Sequence, residues 1–170
     1  MYGCDIMKKG FTLIEIIIVL AIIAILIAIT NLNFIRLGQN SKIESSANDI
    51  AAMIKDVYEN SNDEMDYTKW NVGINNQDDK FIVSLNNNGQ TVRKIELKNT
   101  NIEINDGNSN IPLGATYYIR FNSNGSIIIE TNAATNEYEN LNVKISDKGN
   151  SSICKTIEIK SIPPGNVIIK

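Results

Sequence analysis

The sequence predicts an α+β protein. A long N-terminal α-helix, membrane-spanning in its first half and amphipathic in its second, leads into an antiparallel β-rich head. Three observations carry this reading. An apolar run from Ile16 to Ile29 follows the block Lys8-Lys9-Gly10-Phe11-Thr12-Leu13-Ile14-Glu15. Ile43, Ala47, Ile50, Ile54 and Val57 then recur at spacings of four and three, the apolar stripe of a helix with one buried face. From about Glu64 onward the apolar period falls to two, interrupted by turn residues, which marks strands. A chain of 170 residues accommodates one modest domain beside such a helix.

The first element runs from Phe11 to Ile29. At about 1.5 Å rise per residue this helix nearly matches a hydrocarbon core of about 30 Å. Lys8 and Lys9 stand just before it and favour a cytoplasmic N-terminal side by the positive-inside bias. Glu15 is the anomaly, since a carboxylate at mid-depth in a bilayer costs roughly 2.5–3.5 kcal/mol. Past Ile29 the helix continues out of the membrane. Asn31 to Asn40 is its weakest part, because Asn, Gly38 and Gln39 lower helix propensity, and Gly38 reads as a tolerated helix glycine. The outer stripe, opposed by Lys42, Asn48, Asp49, Lys55 and Asp56, ends near Tyr58, where Asn60-Ser61-Asn62-Asp63 supplies breakers. One helix from Phe11 to Tyr58 would be about 70 Å long, more than twice the membrane, so its outer stripe needs another surface to cover it.

The head follows as hairpins. Phe81–Leu85 and Val92–Leu97 flank Asn86-Asn87-Asn88-Gly89, a strong hairpin signal. Tyr117–Phe121 and Ile127–Ile129 flank Asn122-Ser123-Asn124-Gly125, and Asn142–Ile145 and Thr156–Ile159 flank Asp147-Lys148-Gly149. Pro163-Pro164-Gly165 gives a turn in which Pro164 sets φ and Gly165 takes the positive-φ place of type II. Asn166 to Ile169 is the last strand. Trp70–Ile74 and Ile102–Ile104 are weaker candidates, for roughly seven to nine strands in all.

The block from Lys8 to Glu15 closely resembles the class III signal of type IV pilins and pseudopilins. That resemblance implies that a prepilin peptidase cuts between Gly10 and Phe11 and methylates the new amino group of Phe11. It further implies that Glu15, then the fifth residue, pairs with the N-terminal amine of a neighbouring subunit during assembly, which suits the rule that an intramembrane charge is tolerated when neutralised. The organisation becomes leader 1–10, helix 11–59 with 11–29 transmembrane, and head 60–170. Met7 is an alternative start. A secretory signal peptide fits poorly, because its apolar core is only 7–15 residues and ends at a small-residue cleavage site. A plain membrane anchor fits the length but leaves Gly-Phe-Thr-Leu-Ile-Glu unexplained as a block.

Within the family, Tyr118 to Gly125, Val143 to Gly149 and Ile157 to Ile168 resemble the C-terminal half of the GspH/FimT-type minor pilins and pseudopilins. Those carry an F-x-x-x-G hairpin, a second hairpin and a final G-x-V strand, and pack two β-sheets against the outer helix. The proline that many pilins carry near Leu32 is missing. With Cys4 in the leader, Cys154 is the single cysteine left, so the C-terminal disulfide of many major pilins is ruled out, and Cys154 reads as a small apolar filler. The implied setting is the cytoplasmic membrane, single-pass with the head outside, and then a filament beyond it. The implied partners are prepilin peptidase, other subunits through the N-terminal helix, and the assembly platform. A major pilin, or a tethered module that never polymerises (for DNA uptake, for example), is the alternative.

Catalysis fails on inventory. The chain has no histidine and no glycine-rich phosphate loop, so the usual bases, nucleophile pairs and zinc sites lack their parts. Asp63, Glu64 and Asp66, and Asp78 and Asp79, lie in polar connecting segments as solvated charges. Asn105 to Asn110 offers oxygens of the kind calcium prefers but lacks EF-hand spacing, and reads as a loop of turn-formers. No catalytic, cofactor or metal residue is expected. The net charge of −3, or −4 once Asp5, Lys8 and Lys9 are removed, does not favour nucleic acid. Some FimT-branch proteins bind DNA through a basic C-terminal region. Here Lys144, Lys148, Lys155, Lys160 and Lys170 are diluted by Asp147 and Glu158, and no arginine follows Arg120. Nucleic acid is therefore an unlikely partner by this reading.

Overall fold

The computed structural model describes residues 11–77, 80–112, 116–132 and 134–170, without the side chains of 29–33. Cys4, Met7, Lys8, Lys9, Gly10, Asp78 and Asp79 lie outside the described residues, as does the side chain of Leu32. The chain forms two compact units, Met1–Gly38 and Gln39–Lys170. One helix, α1 (Leu13–Glu64), contributes residues to each.

In the first unit α1 is apolar all round from Ile16 to Ala28, and every described side chain from Leu13 to Ala28 is exposed. Gly38 is helical, and a Cβ there would meet nothing within 4 Å. The tolerated-glycine reading stands on that open space.

In the second unit the expected stripe is buried. Ile43, Ala47, Ile50, Ile54 and Val57 are all essentially inaccessible, joined by Met53. The helix does not stop at Tyr58. Asn60 spends its amide on the Asp56 carbonyl, at 2.7 Å, and Ser61 is buried, so both are absorbed into the helix instead of breaking it. The end comes at Glu64. Met65 takes a left-handed φ of 55°, and the Asp66 and Met65 amides donate to the Ser61 and Asn62 carbonyls at 3.1 and 3.3 Å. This is a Schellman stop, with methionine where glycine is usual and its side chain left exposed.

Among the described residues ten strands form the head: β1 (Trp70–Gln77), β2 (Lys80–Asn87), β3 (Gln90–Lys98), β4 (Thr100–Asn105), β5 (Thr116–Phe121), β6 (Ile127–Thr131), β7 (Thr135–Tyr138), β8 (Asn140–Asp147), β9 (Cys154–Lys160) and β10 (Asn166–Ile169). They make a six-stranded sheet in the order β3-β2-β1-β5-β6-β7 and a four-stranded sheet in the order β10-β9-β8-β4. Every strand pair is antiparallel. The expectation of seven to nine strands fell short at β7, an edge strand whose Thr-Asn-Glu-Tyr sequence is largely solvated and so carries no apolar alternation. The weak candidate Trp70–Ile74 proves to lie in β1, near the centre of the larger sheet.

Turn chemistry sets the registers. Asn88 and Gly89 both take left-handed φ, 50° and 80°, which gives the primed two-residue turn that matches strand twist. Asn86 and Asn87 therefore extend β2, past a bulge at Leu85/Asn86. In the last turn the Asn166 amide donates to the Pro163 carbonyl at 3.2 Å, with Gly165 at φ 73°. A Cβ on Gly165 would run into the ring of Tyr58, so only glycine lets this turn close over the helix.

A single core joins the outer half of α1 to both sheets. The stripe meets Val72, Ile74, Val83, Tyr117, Ile119 and Phe121 from the larger sheet, and Ile104, Val143, Ile145, Ile157 and Ile159 from the smaller. Tyr58 and Phe121 stack edge to face, with centroids 5.3 Å apart at 73°. At the rim Arg93 pairs with Asp49 at 2.6 Å, and the Lys42 ammonium donates to the Lys98 carbonyl at 2.8 Å. One expectation is corrected here. Cys154 is exposed, because the inward place at the start of β9 belongs to Ile153. It is not a core filler.

Candidate processing and assembly site

The helix begins with a reciprocal cap. Thr12 precedes the first helical residue, Leu13. Its backbone amide and its hydroxyl each donate to Glu15 Oε2 at 3.0 Å, while the Glu15 amide donates back to Thr12 Oγ1 at 3.4 Å. This is a capping box, which satisfies donors that a helix start leaves without partners. The carboxylate also lies where the helix dipole favours negative charge. Glu15 thus has a local role in the single chain, which the sequence reading passed over. Its signal was present as Thr12-x-x-Glu15 before an apolar run. Phe11, just before the cap, is 85% exposed.

The described side chains of the apolar run end at Ala28, so that stretch spans about 24 Å as a helix. Among the described residues no helix is long and apolar enough to cross a membrane.

Residues 7–31 match the family model of the prokaryotic N-terminal methylation motif. This match supports a type IV pilin-like signal at the start of the chain and implies processing by a prepilin peptidase and assembly with other pilins. Of the site residues expected from the sequence, Gly10, Phe11 and Glu15 all fall within the motif. Glu15 and Phe11 are described; Gly10 is not. No curated protein and no solved structure matches the chain.

Other residues that could have carried chemistry are engaged in structure. Glu64 accepts from the Trp70 indole at 3.0 Å and pairs with Lys69 at 3.4 Å. Asp66 accepts from the Thr68 amide and hydroxyl at 3.0 and 2.7 Å. Those hydrogen bonds, ahead of the nearby Lys69 charge, hold its carboxyl below the ordinary aspartate value. Together these contacts pin the junction between α1 and β1. Lys144 lies 3.8 Å from Glu103, and Lys160 and Lys170 lie 3.6 and 2.8 Å from Glu158. Three of the five C-terminal lysines thus face carboxylates, which opposes a continuous cationic track. Among the described residues no cluster of Cys, Asp or Glu is placed to hold a metal ion.

The loop from Asn105 to Asn110 is closed by its own acid. Asp106 Oδ1 accepts from the Ser109 and Asn108 amides at 2.7 and 2.8 Å, and these bonds lower its pKa from 3.8. A depressed carboxyl contributes its stabilisation fully above the unfolded-state value and loses it as pH falls through the lower folded value. The Ser109 amide proton resonance should therefore titrate with a midpoint below that of an ordinary aspartate. An unshifted midpoint would show that the cap does not persist in solution.

Proposed function

We propose that this chain is a structural subunit of a type IV pilus or a type II secretion-like filament, of the minor pilin or pseudopilin kind. Prepilin peptidase cuts between Gly10 and Phe11 and methylates the Phe11 amine. The subunit waits in the cytoplasmic membrane, single-pass, with its head outside, and then joins the filament through its N-terminal helix at the assembly platform. There Glu15 meets the Phe11 amine of a neighbour while apolar helix faces pack together, helped by the small residues Ala21, Ala24 and Ala28.

One observation carries this reading. The helix from Ile16 to Ala28 is apolar on all sides and exposed on all sides. A helix of that kind belongs in a bilayer or within an assembly, and this chain leaves it uncovered. It lies within the stretch that matches the methylation motif, residues 7–31, which supports packing among pilin-like helices as its setting. The GspH/FimT kind is favoured by the hairpins at Phe121–Gly125 and Asp147–Gly149 and by the strand after Gly165. The reading assigns no enzymatic activity and no nucleic-acid partner.

Intact mass of the protein purified from its own cells tests the proposal. The expected chain begins at Phe11 and carries one added methyl group. A chain that keeps Met1 or Met7 would overturn it in favour of a plain anchor.

A further inference from the structure

The face of the six-stranded sheet turned away from α1 holds a trough that the filament reading does not use. Strand β1 forms its floor. Trp70, Val72 and Ile74 point into the core, which leaves Asn71, Gly73 and Asn75 on the outer face. Amides are poor strand formers, and a central strand with a solvated face ordinarily carries Thr or a β-branched residue. Here the outward positions carry an amide, no side chain at all, and a second amide.

Gly73 lies buried at the middle of the floor. It pairs with Ser84 on one side and Tyr118 on the other, and a Cβ there would stand 3.0 Å from Asn86 Nδ2, Ser84 Oγ and Tyr118 Cε1. Side chains of both neighbouring strands thus lean over a bare Cα. The hollow measures about 530 Å³, inside the range of about 300–1,000 Å³ usual for small-molecule sites. The Asn86 amide donates to Asn71 Oδ1 at 2.9 Å, which fixes the Asn71 plane and leaves its nitrogen as a donor. The Asn75 side chain makes no hydrogen bond among the described residues. Tyr118, partly exposed, offers a ring face beside them. Lys94, opposite Ser84, and Glu130, opposite Tyr118, stand at the two sides. Their charges cancel, so the lining selects neither polyanions nor polycations.

We propose that this trough binds a neutral glycan chain. Amides, of which Asn71 and Asn86 are fixed by each other, and hydroxyls supply the paired donors and acceptors that sugar hydroxyls need, and an exposed tyrosine supplies a surface for the apolar face of a pyranose ring. Neutrality argues against nucleic acid, and the polar lining argues against the apolar core of a protein interface.

Titration of the full-length chain in lipid nanodiscs (sugar-headed detergents would compete) with cellohexaose, maltohexaose and the N-acetylglucosamine hexamer tests this. At least one should saturate. Tyr118→Ala should weaken that binding at least tenfold, and Lys94→Ala should change it less than twofold. If Tyr118→Ala lowers the unfolding midpoint, Asn75→Ala takes its place with the same expected loss. Three results would each overturn the proposal. One is saturation by none of the three hexasaccharides. Another is unchanged binding in the variants, and the last is self-association through this face that the variants abolish while sugar has no effect. Because neither Phe11 nor Glu15 takes part, failure here leaves the filament reading untouched.

Discussion

Glu15→Gln should yield a chain that is cut, methylated and held in the membrane, yet enters filaments at least tenfold less often than the parent. The substitution separates two roles of one carboxylate. Glutamine keeps an acceptor for the Thr12 amide and hydroxyl, now at 3.0 Å each, and capping boxes accept Glu or Gln at this place. The start of α1 is therefore preserved, and what disappears is charge. In the bilayer that loss relieves part of a burden that would reach roughly 2.5–3.5 kcal/mol at mid-depth, so the lone subunit sits at least as comfortably as before. In the proposed filament it would remove attraction to a neighbour's Phe11 amine. At about 4 Å and an effective dielectric near 20 this attraction is on the order of 4 kcal/mol, and every 1.4 kcal/mol is about tenfold in an equilibrium. Glu15→Val removes acceptor and charge together and should also fail to assemble. The comparison of sheared filaments with the membrane fraction decides the matter. Were Glu15→Gln to assemble like the parent while Glu15→Val did not, the carboxylate would matter as a cap and not as an ion.

The helix and most of the head could be read from the sequence because apolar periodicity reports burial directly. Ile43, Ala47, Ile50, Ile54 and Val57 were chosen by spacing and are all buried. The hairpins were legible for a similar reason, since Asn88-Gly89 and Pro164-Gly165 are residue types that their backbone angles demand. The misreadings have physical causes too. Asn60 and Asn62 count as breakers only when their side chains compete with the backbone. Asn60 instead bonds the carbonyl one turn back while Ser61 is drawn into the core. β7 escaped notice because an edge strand facing water needs no apolar pattern. Cys154 was misplaced by one residue of strand phase, which in a period of two moves a side chain to the other face. At the N-terminus, Glu15 reads as a costly charge until Thr12, three residues earlier, is seen to be its capping partner. Trp70–Ile74 reads as a weaker strand candidate, and the amides at Asn71 and Asn75 carry no periodic signal of their own. Their meaning depends on which strands flank them, and that is a long-range fact.

Phe121→Ala should cost about 3–5 kcal/mol of head stability, the usual range for emptying a buried phenylalanine site. Phe121 is fully inaccessible and sits at the end of β5, where the larger sheet meets the helix through Tyr58. The edge-to-face pair adds about 0.5–1.5 kcal/mol beyond burial. The site cannot easily collapse to fill the void. On its far side Tyr58 is hemmed in by Gly165, whose missing Cβ is the space the ring occupies, and that glycine is held by a turn it cannot leave. Helix, larger sheet and smaller sheet thus meet at one aromatic pair. Denaturant unfolding of the full-length chain, followed by fluorescence of the single tryptophan, Trp70, should show the midpoint fall. Trp70 begins β1 and is bonded to Glu64 at the helix end, so it reports on the same junction. A double-mutant cycle of Phe121→Leu with Tyr58→Leu should return a coupling of about 0.5 kcal/mol or more. A cost under about 1 kcal/mol for Phe121→Ala, with no coupling, would mean that the outer helix is not locked to the head at this point. The docking would then have to be carried by the Ile43-to-Val57 stripe alone.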